Sequence, residues 1–281
     1  MWKPRKIPIL AGVEAQRILG LKGKKGEAEV SLDIGLTRRP CLLSENGICV
    51  DRIKVGWRQL EEMAESSEDV FILRRKPQRL SWFDGSFYRM VLPEWGHAPT
   101  LEINGIRMHR TIDTPPEQDA LQKVSLLPSL RNSTVLDVCT GLGYTSIAAL
   151  RKGACRVVTV EKDPNVLEMA SYNPWSRELF DRRVKIVLRD ALDFLPRCRM
   201  VFDAVVHDPP TIRIAGDLYS LDFYRELHRV LRNGGVLVHY VGQPGVKKGV
   251  KIYVGVMERL RMAGFKTRYV PWARCVWAVK V

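Results

Sequence analysis

The sequence predicts an α/β fold: a seven-stranded, mainly parallel sheet with an antiparallel hairpin at one edge, preceded by a small β-rich N-terminal domain. Three observations predict it. From about residue 134 onward, short Val/Ile/Leu runs alternate with amphipathic helical stretches, the pattern of buried strands joined by crossover helices. The last two runs, in "FKTRYVPWARCVWAVKV", are separated by a tight connection at Pro271 that is too short for a parallel crossover, so they pair antiparallel. Residues 28–110 instead carry apolar runs joined at Asn46-Gly47, Asp84-Gly85 and Asn104-Gly105, dipeptides that accept the positive φ of tight hairpins. The domains are accordingly drawn as 1–110 and 111–281.

In chain order, the first domain reads "EVSLDIGL", "PCLLSENGICVDRIKV", "VFILRRK", "RLSWFDGSFYRMVLP" and "TLEINGIRMHR" as strands, with a helix at "GWRQLEEMAE". The stretch "TIDTPPEQDALQKVSLLPSL" reads as a turn and a connecting helix. Strands follow at 134–139, 156–160, 184–188, 202–207, 235–241, 266–270 and 274–280. Helices fall near 144–152, 165–172, 190–195, 219–231 and 249–263.

Composition narrows the class. With 281 residues and 46% hydrophobic content the chain builds one large core and an appended smaller unit. The six cysteines form no C-x-x-C pair and no zinc-ligand spacing, so they read as reduced thiols in a cytoplasmic protein, with no metal expected. No apolar run is long enough to span a bilayer, and Glu14 interrupts the opening apolar stretch, so neither a membrane nor an export signal is expected. The net charge of +14 points to a polyanionic partner. The excess lies toward the C-terminus, where residues 231–281 carry ten Lys and Arg against one Glu. A solvated basic surface is the plainer alternative. Trp82, Phe83, Phe87, Tyr88, Arg74, Arg75, Lys76 and Arg79 are of types that grip single-stranded nucleic acid, although the same mixture suits a half-buried sheet.

The chemistry gathers at strand ends. "STVLDVCTGLGYTSIAAL" places Asp137, then Gly141 and Gly143, where strand turns into helix, so backbone can approach a ligand at the helix N-terminus. The second strand ends in Glu161, an acid placed to bind a pair of ribose hydroxyls. The third ends in Asp190, which is also placed as a helix cap. A dinucleotide-binding oxidoreductase is disfavoured because Ser146 stands where G-x-G-x-x-G needs its last glycine.

These residues resemble the class I S-adenosylmethionine-dependent methyltransferases, with their Rossmann-like sheet, over roughly residues 112–281. The resemblance implies that Asp137, Thr140, Gly141, Leu142, Gly143 and Tyr144 form the loop holding the methionine part of S-adenosyl-L-methionine. It implies that Glu161 with Lys162 binds the ribose, and that Asp190 with Ala191 borders the adenine. Cys139 replaces the loop's usual first glycine. "HDPP" then resembles the D-P-P-aromatic motif of enzymes that methylate exocyclic amino groups, which implies catalytic roles for Asp208, Pro209 and Pro210. Two stiff prolines hold the acceptors of an N–H still. Thr211 replaces the motif's stacking aromatic, so Tyr219, Tyr144 or Trp175 is needed in its place. With the stretches "VEKDPNVLEMASYNPWSREL" and "HDPPTIRIAGDLYSLDFYRELHRVLRNGGVLVHYVGQPG", most of the chain is also similar to a group of predicted archaeal methyltransferases with a spermidine-synthase-like catalytic domain, a group with an enzyme making N4,N4-dimethylcytidine in ribosomal RNA. What this implies is methylation of N4 of cytidine in RNA, with ribosomal RNA as partner.

Two other readings stay open. One is an aminopropyltransferase or another polyamine enzyme, for which Asp208 and Asp217 are the acids near strand four. The other is a non-catalytic RNA-binding factor that keeps a cofactor fold. The first domain is assigned to RNA docking, dimerisation with a second copy, or a lid. His207, next to Asp208, is read as structural because strand alternation turns it away, and His239 and Tyr240 are ambiguous.

Overall fold

The structure is a computed structural model that describes residues 2–242 and 251–281. Its chain divides into two compact units, one of residues 1–116 with 168–177, the other of residues 117–167 with 178–281. The expected boundary at 110 therefore moves to 116, and a short segment from the middle of the chain joins the first unit. That segment is tied in by polar contacts: the Trp175 indole donates to the Ile34 carbonyl at 3.0 Å, and the Arg5 amide donates to the Ser171 carbonyl at 2.8 Å. Neither partner is close in sequence, so hydropathy alone does not reveal them.

Among the described residues the first unit holds three small antiparallel sheets. A four-stranded meander runs through Gly26–Val30, Arg39–Ser44, Gly47–Val50 and Ile53–Gly56. Its core residues Val30, Ile48 and Val55 pack in one cluster with Ile18 of helix Gly12–Leu19 and Leu60 and Met63 of helix Trp57–Ala64. A second sheet contains the hairpin Ser81–Asp84 and Ser86–Val91, followed by Thr100–Ile103 and Ile106–Arg107. Asn104 and Gly105 both adopt positive φ, 49° and 79°, as a two-residue turn with the twist of its strands requires. Within the hairpin Phe83 faces Phe87 across the ladder, and Phe83 is 74% exposed while Tyr88 is buried. Helix Gly12–Leu19 has no counterpart in the pattern reading of the sequence.

The second unit is the expected sheet. Its elements are α1 (Pro116–Ser125), β1 (Thr134–Val138), α2 (Tyr144–Arg151), β2 (Arg156–Glu161), α3 (Pro164–Tyr172), β3 (Val184–Leu188), α4 (Ala191–Arg197) and β4 (Phe202–His207). They continue with α5 (Leu221–Val230), β5 (Leu231–Tyr240), α6 (Ile252–Met262), β6 (Phe265–Val270) and β7 (Cys275–Lys280). Pro116 and part of α3 are counted with the first unit. Positions 249 and 250 of the expected last helix lie outside the described residues.

The strand order is β3-β2-β1-β4-β5-β7-β6. All pairings from β3 to β5 are parallel, and β7 enters antiparallel between β5 and β6. The order reverses between β1 and β4. At such a switch point the loops leaving the two strands diverge and open a crevice beyond their carboxyl ends. Both sheet faces are covered. Phe202, Tyr224, Leu237 and Leu260 belong to one core cluster, and Val135, Ala149, Val157 and Val238 to the other.

Candidate active site

The glycine loop begins where β1 ends. Asp137 is completely buried, and its carboxylate accepts hydrogen bonds from the hydroxyls of Thr145 (2.9 Å), Ser146 and Thr159 (3.0 Å). Burial pushes its carboxyl up to about 6, against those three donors. Asp137 thus joins β1, β2 and the first turn of α2 from inside the protein, holding the loop without facing the crevice. Thr140 also turns inward, its hydroxyl 2.6 Å from that of Thr159. Leu142 and Tyr144 are buried too.

The loop backbone is bent by positive φ at Cys139 (71°), Gly141 (54°) and Gly143 (83°). Cys139 therefore adopts the left-handed conformation that a glycine would take without cost. The Cys139 and Thr140 amides both donate to the Val160 carbonyl, at 3.0 and 3.1 Å, which fixes the bend against β2. Gly143 precedes α2, and a Cβ there would lie 2.7 Å from the Leu179 side chain.

Glu161 closes β2 and is 8% exposed. Its Oε1 accepts from the Lys162 and Asp163 amides at 2.9 and 3.1 Å, and its Oε2 from the Gly141 amide at 3.1 Å. The β2 acid and the glycine loop are therefore one structure. A carboxylate oxygen can accept two hydrogen bonds, so Oε2 keeps capacity for a ribose hydroxyl. Burial pushes the Glu161 carboxyl up, opposed by those amides. Lys162 is exposed. Asp190 caps α4, its Oδ1 accepting from the Leu192 amide at 2.9 Å, and Ala191 begins the helix, buried. The acceptor set, the glycine bend and the partly exposed Asp190 cap together fit an adenosyl group. Glu161 would hold its ribose, Asp190 and Ala191 would border its base, and the 139–143 backbone its amino-acid end.

Beyond β4 the sheet pairing runs on for one residue, because the Asp208 amide donates to the Val138 carbonyl at 3.2 Å. That bond brings the Asp-Pro-Pro turn beside the glycine loop. Asp208 Oδ2 accepts from Lys123 Nζ on α1 at 2.7 Å, and the Asp208 side chain remains 18% exposed. Pro209 is buried and Thr211 exposed. Tyr219 is buried with its hydroxyl bonded to the Pro210 carbonyl, so it supports the turn and offers no open ring face. Tyr144 is buried as well, and Trp175 belongs to the other unit.

His207 points to the opposite side of the strand, where its Nε2–H donates to the Leu218 carbonyl at 3.0 Å. Its ring lies 4.3 Å from that of His239, whose Nδ1–H donates to the His207 carbonyl and whose Nε2 accepts from the Tyr224 hydroxyl. Both rings are neutral parts of the core, lowered by burial. Lys123 and Asp119 were missed by sequence reasoning. Their spacing of four marks a helical ion pair, and such a pair reads as a solvated one.

Among the described residues no helix is long and apolar enough to cross a membrane. A family model described as a methyltransferase domain matches residues 135–235. The chain is 40% identical over 263 residues to uncharacterized protein MJ1233 of Methanocaldococcus jannaschii, a match that covers 87% of this chain and 86% of that protein. It is 28% identical over 210 residues to a polyamine aminopropyltransferase of Thermoplasma volcanium, over 73% and 74% of the two chains. A spermidine synthase from Thermotoga maritima shares the fold with a TM-score of 0.54 at 18% identity, over 73% of this chain and 74% of that one. The MNMC2 protein from Aquifex aeolicus does so with a TM-score of 0.51 at 21% identity, over 65% and 67%. Strand order, acid-tipped β2 and β3, the glycine loop and the family match converge: the chain belongs to the family of MJ1233 and carries a class I methyltransferase domain of spermidine-synthase-like fold, with S-adenosyl-L-methionine as its cofactor.

Proposed function

We propose that the protein methylates an exocyclic amino group in RNA, N4 of a cytidine, with ribosomal RNA as the substrate class. The observation that carries this reading is the Asp208-Pro209-Pro210 turn, whose carboxylate has one oxygen held by Lys123 while the side chain remains partly exposed. An exocyclic amine is a poor nucleophile because its lone pair is delocalised into the ring. Asp208 Oδ1 accepts one N–H and the Pro209 carbonyl the other, which turns the nitrogen toward tetrahedral geometry and frees the lone pair. Bound S-adenosyl-L-methionine supplies an electrophilic methyl on a sulfonium. Asp208 would stabilise the positive charge that develops on the nitrogen as it takes up the methyl, and one N–H proton would leave to water. The net charge of +14 supports a polyanionic partner. A cytidine in a loop or unpaired site is favoured, because one inside a duplex must first be flipped out.

The aminopropyltransferase reading is favoured by the relative from Thermoplasma volcanium. Against it stands the internal ammonium of Lys123, 2.7 Å from Asp208, which already pairs one of the two acids that reading relies on.

Transfer of labelled methyl to ribosomal RNA fragments tests the proposal, with Asp208→Ala as comparison. The variant is expected to bind cofactor as before and to lose transfer by about a hundredfold or more. Transfer of an aminopropyl group from decarboxylated S-adenosylmethionine to a polyamine, with none of methyl to RNA, would overturn it.

A further inference from the structure

Lys123 is buried, its side chain 5% exposed, yet it sits on the helix that enters the second unit. Its Nζ contacts Asp208 Oδ2 at 2.7 Å from β4 and Asp119 Oδ2 at 2.6 Å from one turn back on α1. It also lies 3.9 Å from the centroid of the Tyr240 ring, at the end of β5. The ammonium is therefore fixed from three elements. The helix carrying it is fixed too: Lys152 Nζ, at the end of α2, donates to the carbonyls of Val124, Ser125 and Leu127 at 3.0, 3.0 and 2.6 Å. These are carbonyls of the last turn of α1 and the chain after it, where a helix leaves acceptors unsatisfied. A buried lysine is costly unless its partners are well placed. Here one partner is the acid of the proposed reaction.

We propose that Lys123 is a positioning residue for methyl transfer, holding Oδ2 of Asp208 so that Oδ1 alone is presented to the target amine. The inference rests on the amino-methyltransferase reading above. A carboxylate free to turn about its last torsion offers either oxygen in many orientations, and clamping one oxygen removes that freedom before substrate arrives. Lys123 also sets the charge of the site. Burial pushes the Asp208 carboxyl above the ordinary carboxylate range, Lys123 opposes that push and Asp119 adds to it. Burial acts to lower the Lys123 ammonium, but Asp208 and Asp119 outweigh it and hold the group raised and charged. The other ionisable groups facing Asp208 are Asp137 from the end of β1, Cys139 from the loop, Tyr219 from the turn before α5 and Tyr240 from β5. Burial pushes the Cys139 thiol and both phenols up, Tyr240 to about 12, so these three are uncharged near neutral pH.

The test uses the full chain with Lys123→Met, Lys123→Arg and Asp119→Asn. Three quantities are read: S-adenosyl-L-methionine binding by calorimetry, kcat for RNA methylation against pH, and the Asp208 carboxyl titration by carbon NMR. Lys123→Met is expected to bind cofactor within about threefold of the parent and to lose about 30-fold in kcat. Its acid limb should move up by about one pH unit, because Asp208 loses its cation. Asp119→Asn should move the limb the other way, and Lys123→Arg should restore most of the parent profile. A merely structural lysine predicts lost stability without opposite shifts in the two limbs. Limbs and titrations that coincide with the parent in both charge variants overturn the role of Lys123. Should Lys123→Met not fold, Asp119→Asn and Lys123→Arg decide by the same readout. If the parent protein methylates no RNA, the amino-methyltransferase reading falls, whereas the carboxyl titrations still decide whether Lys123 governs Asp208.

Discussion

The Tyr219 hydroxyl donates a 2.9 Å hydrogen bond to the carbonyl of Pro210, joining the short helical turn Gly216–Tyr219 to the turn that follows β4. Burial pushes this phenol up, so it stays a donor across the working pH range. Its own carbonyl accepts from Arg259 Nε at 2.8 Å, which ties the same turn to α6. Removing the hydroxyl in Tyr219→Phe leaves the ring packing in place but frees the second proline. The expected outcome is a kcat for methyl transfer about tenfold lower, the worth of one ordinary hydrogen bond in the barrier, with cofactor affinity within about twofold of the parent. Equal kcat values in steady-state assays of the two proteins would show that the prolines alone hold the turn.

Cys139 stands at φ 71°, in the region where a side chain is strained. Cys139→Gly removes the strain and also removes a partly buried thiol, so the two effects offset to within about 1 kcal/mol. Cys139→Val puts a β-branched residue into the same bend and is expected to cost about 2 kcal/mol or more, with weaker cofactor binding because the loop reopens. Denaturant unfolding of the three proteins checks both values. A valine variant as stable as the glycine one would mean that the bend does not persist in solution.

His207 and His239, both lowered by burial, contribute to the pH dependence of stability in the same sense, and His207 sets a defined share of it. Burial lowers His207 to about 4, against the pull of the Leu218 carbonyl, while in the unfolded chain it returns to the ordinary imidazole value of 6.5. Below that value the unfolded state binds a proton that the folded state refuses. The contribution of neutral His207 is thus complete above pH 6.5 and is lost as pH falls through 6.5 toward 4, by about 2 kcal/mol between pH 7 and 5. Asp137 acts in the opposite sense: its folded value near 6 is raised, so protonation on acidification relieves a penalty over part of the same range. His207→Gln keeps a donor for Leu218 and removes the titration. Its unfolding free energy is expected to fall less than the parent's between pH 7 and 5, as measured by urea denaturation at each pH. A parallel decline in both proteins would place the acid sensitivity elsewhere.

Much of the site was legible from strand ends. Glu161, Asp190 and Asp208 each follow an apolar run, and a parallel sheet delivers the ends of its strands to one edge, so residue type and position sufficed to place them along that edge. Asp137 was legible as an anchor of the loop, but the three hydroxyls that hold it were not. Whether a strand-end acid faces the crevice or three hydroxyls depends on the side chains around it, here Thr145, Ser146 and Thr159. The replacement of the expected stacking aromatic by Thr211 was visible at once. That Tyr219 is spent on Pro210 was not, because a tyrosine reads alike whether its ring is open or covered.

By itself the sequence determined the strand count of the second unit, the antiparallel closing hairpin and the order of acids along the sheet edge. These are local consequences of apolar period, connection length and the right-handed crossover rule. Only the tertiary structure decided that Lys123 meets Asp208 from 85 positions away, and that residues 168–177 pack with the N-terminal unit. Such pairings depend on how helices seat on the sheet, and packing geometry leaves no periodic mark in the chain.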